Sequence, residues 1–157
     1  MNAHIGLKES SRTKVLVLLG KTLADLSVLS QKTRNFHWNV QGPRFSELHK
    51  FFESQYGLLE GEIDETAERS RALGGRALGS MKEMLAATRL KEAASGRSPS
   101  EDAMLTELLR DQESFIRTLR IDADACGAAA DKGTEDFLVG MMEAHEKMAW
   151  MLRAFVS

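Results

Sequence analysis

The chain has 157 residues, of which 43% are hydrophobic and 28% charged, and this composition fits one compact domain over residues 1–157. Its formal net charge of −2 excludes an overall basic field that would draw the whole chain onto nucleic acid, so DNA binding requires a local patch of cations. The longest apolar run, Val15 to Leu19, is far shorter than the roughly 20 residues that span a bilayer, and the amino terminus lacks the pattern of an export signal. Cys126 is the only cysteine, which agrees with a reducing compartment. We therefore expect a cytoplasmic protein with no membrane partner.

The first half of the chain predicts two long helices joined by a short turn. Residues 1–9 are expected to form a mobile tail, and apolar residues then recur at helical spacing over residues 10–38. The Gln-Gly-Pro sequence at 41–43 interrupts this pattern, because proline lacks a backbone donor and restricts the residue before it. A second helix is predicted over residues 45–73, ending at the glycine pair 74–75.

The second half predicts one short helix and two further long ones. The short helix, over residues 81–90, lies in a crossover of about 25 residues, which is long enough to run the length of a bundle. The sequence Ser-Pro-Ser-Glu at 98–101 has a capping-box pattern, so the third long helix is expected to begin there. The fourth follows residues 133–134. Four long helices with one long crossover predict an all-α, ferritin-like four-helix bundle with a short helix between helices two and three.

One face of the second helix carries side chains of the types that can act as metal ligands. Because each residue of a helix advances by about 100°, four residues fall within about 100° of one another: His49, Glu53, Asp64 and Glu68. They form two pairs at i,i+4 spacing, at which two side chains can point at one ion. About 16 Å of helix axis separates Glu53 from Asp64, whereas each ligand must come within about 2.0–2.2 Å of the metal. One copy of the chain therefore cannot close a site from both pairs.

A twofold pair of chains would join the two halves. Antiparallel packing of the second helix against its own copy places the His49 pair of one chain beside the Asp64 pair of the other, with the axis near Leu58. Gly57 and Gly61 lie on the same face, where the absence of side chains lets a second backbone approach closely. Otherwise these two mid-helix glycines are only a cost of about 1 kcal/mol each.

The same acidic residues also fit a solvated helix face. Glu60, Asp64 and Glu68 are like charges at i,i+4 spacing, an unfavourable arrangement unless a cation neutralises them. Arg69 and Arg71 are close enough in sequence to supply that charge. On spacing alone, both a metal site and a solvated helix face stay open.

Five segments of the chain form a specific combination: 33–45 (TRNFHWNVQGPRF), 48–49 (LH), 63–69 (IDETAER), 73–75 (LGG) and 144–153 (AHEKMAWMLR). Together they closely resemble the Dps family, the DNA-binding proteins from starved cells or mini-ferritins, over nearly the whole chain. The resemblance implies a homododecameric shell of four-helix subunits. Such a shell oxidises Fe(II), with hydrogen peroxide or oxygen, and stores the ferric mineral inside.

The resemblance implies that the iron site lies between two subunits. One subunit supplies His37, His49 and Glu53. Its twofold mate supplies Asp64 and Glu68, and the joint site holds at most two iron ions. Many relatives have aspartate where this chain has Glu53, a difference that alters the reach of that ligand.

Two other residues near these segments allow a functional and a structural interpretation. Trp38 resembles the family tryptophan beside the iron site, where it would take up stray oxidising equivalents, and simple packing is an equal alternative. His145 shares the apolar face of the last helix and is expected to be structural. The Glu-x-x-His motif of di-iron bundles does not occur in the sequence, which disfavours a centre inside one subunit.

Charged residues elsewhere suggest a pore and a DNA contact. Acidic residues gather at the junction of the third and fourth helices, where the family has threefold pores, and Asp131 and Asp136 are the candidates for iron access. Acids at a helix amino terminus also stabilise the helix dipole without any pore. For DNA, the amino-terminal region offers Lys8, Arg12 and Lys14. The main alternative function is a non-enzymatic DNA-binding shell that protects the nucleoid.

Overall fold

In the computed structural model of the chain, which describes residues 3–156, five α-helices follow one another. They are α1 (Glu9–Asn39), α2 (Phe45–Ala72), α3 (Met81–Ala87), α4 (Glu101–Ala128) and α5 (Lys132–Val156). The described range contains no strand, and none of its helices is long and apolar enough to cross a membrane. The predicted all-α four-helix bundle with a short crossover helix is confirmed.

The four long helices pack in a ring around one apolar core. α1 contacts α2 and α4, while α5 contacts α4 and α2, so α2 and α4 lie diagonally opposite each other. α3 packs against α1 and has no buried residue of its own. Phe36, Phe52 and Phe115 are at most 1% exposed, and fully burying such a side chain stabilises the fold by about 1.5–3 kcal/mol.

Capping side chains set the helix starts, and the bounds of two helices, α4 and α3, differ in part from the sequence expectation. α4 begins after Ser100, whose hydroxyl accepts the backbone N–H of Ala103, so Ser98 is not the cap. α3 begins after Ser80, which forms a capping box with Glu83, and it ends at residue 87 rather than 90.

The start of α5 also differs from its predicted position. Asp131 accepts the backbone N–H of Thr134 at 3.0 Å and its hydroxyl at 2.6 Å. This cap draws Gly133 and Thr134 into the first turn of the helix. The residues expected to separate the last two helices therefore belong to α5.

The predicted amino-terminal tail is only partly described, because residues 1 and 2 lie outside the described range. Of the rest, Leu7 packs against the core, and Arg12 donates a hydrogen bond of 3.2 Å to the carbonyl of Ala3. α1 begins at Glu9, so the lysines and arginine proposed for DNA lie at or just before its first turns.

The turn between α1 and α2 is tied to the start of α4. Gly42 has a φ of 137°, which favours glycine, and a Cβ there would meet the Glu101 carboxylate at 2.7 Å. The same carboxylate accepts the backbone N–H of Arg44 at 3.0 Å and its Nε–H at 3.2 Å. These contacts fix how the end of α1 meets the start of α2, where the predicted histidines lie.

Two buried ionic clusters connect the crossover and α4 to α1. Asp25, 1% exposed, accepts hydrogen bonds from the hydroxyl of Thr88 and from the backbone and side chain of Arg89. Arg89 also donates to Asp122, and burial raises the pKa of that carboxyl group. The end of the crossover is thereby held between α1 and α4.

The second cluster centres on Lys32 of α1, whose side chain is 1% exposed. Its Nζ lies 2.6 Å from the Asp111 carboxylate and 2.9 Å from that of Glu107, both on α4. Replacing only one partner of such a buried pair leaves an uncompensated charge, so this cluster matters for stability.

Candidate metal centre

The turn brings His37 at the end of α1 against His49 near the start of α2. Their rings stack with centroids 3.8 Å apart and planes 22° apart. His37 Nδ1 donates to the carbonyl of His49 at 2.7 Å, and His49 Nδ1 donates to the carbonyl of His37 at 2.9 Å. Because a carbonyl only accepts, each neutral ring carries its proton on Nδ1 and keeps the Nε2 lone pair for a metal ion.

Aromatic neighbours hold this histidine pair in place. Phe45 lies 5.2 Å from His49, and Tyr56 meets His37 edge-on at 5.3 Å, measured between ring centroids. The guanidinium of Arg34 lies 4.8 Å from the centre of the Tyr56 ring. Tyr56 and Arg34 were not predicted as neighbours of the histidines. The seven-residue spacing from His49 to Tyr56 could have indicated Tyr56, because it puts both on one face of α2, whereas Arg34 lies on α1.

The three predicted carboxylate ligands are exposed on α2. Glu53, Asp64 and Glu68 have no ion pair or hydrogen bond from their carboxylates to any residue between 3 and 156. Their charge therefore faces solvent without a counter-ion in the single chain. Carboxylate oxygen and imidazole are both donors that suit iron.

The two arginines that could have neutralised this face are used elsewhere. Arg69 donates to Thr134 at 2.9 Å and to Asp131 at 3.0 Å, and Arg71 donates to the carbonyl of Gly75. Neither arginine pairs with the acids of this face, which are exposed to solvent in the single chain. Glu60, one turn before Asp64, accepts a hydrogen bond from Ser30 and forms an ion pair with Arg34.

Within one copy, α2 keeps the two half-sites apart. The helix is continuous, so its rise of about 1.5 Å per residue sets Glu53 and Asp64 about 16 Å apart along the axis. The described residues contain no group of three His, Cys, Asp or Glu side chains that could hold a metal ion. Leu58 between them is 56% exposed, and a Cβ at Gly57 or Gly61 would meet nothing within 4 Å. This face of α2 is therefore open, and no contact within the described chain requires glycine at positions 57 and 61.

The remaining candidates are Trp38, Asp131 and Asp136. Trp38 follows His37 and is 61% exposed. Asp131 is 3% exposed and is occupied in capping α5 and pairing with Arg69, so the structure gives it a structural role. Asp136 is exposed and lines a shallow groove of about 400 Å³ with Glu62 and other residues of α2 and α5.

Two further groups with ligand chemistry are buried in structural contacts. His145, 0% exposed, lies 2.5 Å from the Gln112 side-chain oxygen through Nδ1 and 3.0 Å from the Glu62 carboxylate through Nε2. This bears out its interpretation as a structural residue. Cys126 is buried, and burial raises the pKa of its thiol to about 12, so it stays protonated.

Comparison with known proteins agrees with this architecture. The family model described as the ferritin-like domain matches residues 16–157. The chain is 46% identical over 154 residues to an uncharacterized low temperature-induced protein of Nostoc sp., covering 98% of this chain and 86% of that protein. It is 40% identical over 144 residues to DNA protection during starvation protein 2 of Bacillus anthracis, covering 92% and 97%.

A solved structure shows the same likeness in three dimensions. The Dps protein from Vibrio cholerae O1, described as a member of a broad superfamily of ferritin-like diiron-carboxylate proteins, superposes with a TM-score of 0.93. It is 31% identical, and the match covers 99% of this chain and 97% of that one. The chain therefore belongs to the ferritin-like domain family and, within it, to the Dps proteins.

Proposed function

We propose that this protein oxidises Fe(II) with hydrogen peroxide at sites shared by two subunits, and stores the ferric product inside a cytoplasmic homododecameric shell. Iron is the substrate of this ferroxidase reaction. One observation carries the proposal: the two half-sites on α2 each present free metal donors, yet the helix holds them too far apart to share an ion. A twofold partner in antiparallel register supplies the missing half of each.

The donors suit both oxidation states of the substrate. His37, His49 and Glu53 of one subunit, with Asp64 and Glu68 of its mate, bind at most two iron ions. Imidazole binds Fe(II) without adding negative charge, and the carboxylates favour Fe(III). In the reaction two Fe(II) ions lose one electron each, the O–O bond of peroxide breaks, and two protons complete two water molecules.

Two accessory roles belong to the same proposal. The exposed indole of Trp38 beside His37 takes up oxidising equivalents that escape the paired electron transfer. Iron reaches the interior past acidic residues near the start of α5, with Asp136 as the exposed candidate and Asp131 shaping the turn beneath it. DNA protection, which the name of the Bacillus anthracis relative states for that protein, is a secondary role.

The reaction is tested by adding Fe(II) without oxygen and then hydrogen peroxide. We expect two Fe(II) oxidised for each peroxide consumed, with little hydroxyl radical trapped. His37→Ala with Asp64→Ala should slow oxidation to the rate of free iron, because each site loses a donor from both subunits. Glu65→Ala, which removes an exposed carboxylate of the same helix, should leave the rate unchanged. If the double variant oxidised Fe(II) as fast as the unchanged protein, the proposed site would be wrong.

The open glycines of α2 give a separate test of the assembly. Gly57→Ala with Gly61→Ala should favour the helix by about 0.5–1 kcal/mol per site, because no atom of the same chain obstructs the new methyl groups. We nevertheless expect sedimentation to show smaller assemblies, since the methyl groups separate the partner helices. Gly140→Ala, at a helical glycine with equally open surroundings, should leave the mass unchanged. An intact and more stable shell in the double variant would show that α2 is not part of the subunit interface.

A further inference from the structure

A cationic groove lies between α4 and the end of the crossover. Its volume is about 440 Å³, and it is lined by Arg89, Leu90, Lys91, Arg110, Asp111, Ser114 and Arg117. Four of these seven residues are cations and one is an acid. Nothing in the iron chemistry uses this groove.

The ion pairs around the groove leave it with a surplus of positive charge. Its one acid, Asp111, is paired with the buried Lys32, and Arg89 is held by Asp25 and Asp122. Between residues 3 and 156, no ion pair or hydrogen bond engages the side chains of the other three cations: Lys91, Arg110 and Arg117.

The acids on the adjoining surface are also neutralised. Glu113 pairs with Arg153 at 2.7 Å, and Glu146 pairs with Arg120. Both acids line the neighbouring groove that Arg117 shares. The surplus cations therefore face solvent without a competing free carboxylate among these neighbours.

The cations form an open line rather than a closed pocket. Arg110 and Arg117 lie on one stripe of α4, seven residues and about 10 Å apart along the helix axis. Lys91 reaches the same groove from the crossover, which Arg89 fixes against α4. Cations spread along a helix in this way match the successive phosphates of duplex DNA.

The position of α4 keeps its part of this groove away from the proposed twofold interface. α4 lies diagonally across the bundle from α2, whose open face is the one proposed to meet the twofold partner. The outer stripe of α4 therefore points away from that interface. It supplies the local patch of cations that a chain with a net charge of −2 needs in order to bind nucleic acid.

We propose that this groove binds the phosphate backbone of duplex DNA without reading its sequence. The inference rests on the DNA-protecting part of the proposed function and not on its iron chemistry. Lys91, Arg110 and Arg117 contact phosphates, while Arg89 positions the crossover. Repetition around the shell adds these weak contacts along one DNA molecule.

Gel retardation of the assembled shell over a range of salt concentrations tests the groove. Arg110→Gln with Arg117→Gln should weaken binding about tenfold or more at low salt and flatten the dependence of affinity on salt, because fewer counter-ions are released. Both side chains are exposed and glutamine is a good helix former, so the shell should keep its mass and helical content. Lys82→Gln with Lys147→Gln removes two exposed cations elsewhere and should retain the parent affinity.

Three outcomes would contradict the proposal that this groove binds DNA. If Lys8→Gln, Arg12→Gln and Lys14→Gln together abolish retardation while the α4 variant keeps it, the amino-terminal region binds the DNA. If the parent shows no retardation at low ionic strength, the DNA role and the groove both fail. If inorganic phosphate displaces DNA at equal phosphate concentration, the groove is a small-anion site. Iron oxidation measured on the same shells should be unchanged, which separates these failures from a failure of the ferroxidase proposal.

Discussion

Two variants that each lack iron oxidation are expected to restore it when their subunits assemble together. The first, His49→Ala with Glu53→Ala, removes one half-site, and the second, Asp64→Ala with Glu68→Ala, removes the other. Each variant alone has every site incomplete, because a site takes one half from each subunit of a twofold pair. Their mixture can form pairs in which one site receives both intact halves.

The size of the recovery follows from the symmetry of the pair. In a mixed pair, one site joins the two intact halves and the other joins the two defective ones. If subunits combine at random, about half of the pairs are mixed, so about one quarter of all sites are complete. We therefore expect about a quarter of the parent rate of Fe(II) oxidation by peroxide. Mixing the first variant with the unchanged protein should instead give about half of the parent rate, because half of all sites then have both halves intact.

Co-expressed or co-refolded subunits provide the measurement, with the shell mass and helical content checked for each preparation. The four changed side chains are half-buried or exposed, so their loss should leave the bundle folded. A mixture that stays inactive while it assembles like the parent would place the whole site within one chain. A parent rate in either variant alone would show that its residues are not ligands.

Local sequence signals account for most of the fold. Helical spacing predicted the four long helices, and the end of α2 follows from the left-handed Gly74, with a φ of 81°. The errors lie at caps. Ser98 and Ser100 are both plausible caps for α4, and only the hydrogen bond to Ala103 distinguishes them. Asp131 caps α5 two residues before the expected boundary at Gly133.

Some features of the candidate site could also be predicted from the sequence, and others could not. The face shared by Glu53 and Asp64 follows from helix geometry, and so does the distance that separates them. The exchange of ring-to-carbonyl hydrogen bonds between His37 and His49 does not, because it depends on the path of the turn between the helices. The contact of Arg69 with Asp131 joins residues 62 positions apart, which spacing along one helix cannot indicate.

Charge location was the least predictable feature. The sequence drew attention to Lys8, Arg12 and Lys14 because they are close together in the chain. The groove instead combines Lys91 of the crossover with Arg117 of α4, and the fold alone brings these segments together. Local clustering reveals a charged tail, whereas a charged surface built from two segments requires the tertiary structure.

Lys32→Met is expected to lower the free energy of unfolding by about 3 kcal/mol, the lower end of the range for breaking a buried ion pair. The lysine is 1% exposed, while the side chains of Asp111 and Glu107 are 10% and 25% exposed. Methionine fills most of the space of the lysine stem, so lost packing contributes little. The cost arises because two carboxylates lose the buried cation that pairs with them, and it is moderated because water reaches Glu107 in part.

A compensated variant separates charge from packing. Lys32→Met with Asp111→Leu and Glu107→Gln removes the whole cluster, and it should recover most of the loss, since a buried pair replaced by apolar groups is often neutral. Denaturant unfolding at one fixed subunit concentration measures both variants, because assembly makes the stability concentration-dependent. A loss below about 1 kcal/mol for Lys32→Met would mean that the pair behaves like a surface salt bridge. No recovery in the triple variant would assign the effect to packing of the lysine stem instead of the stranded carboxylates.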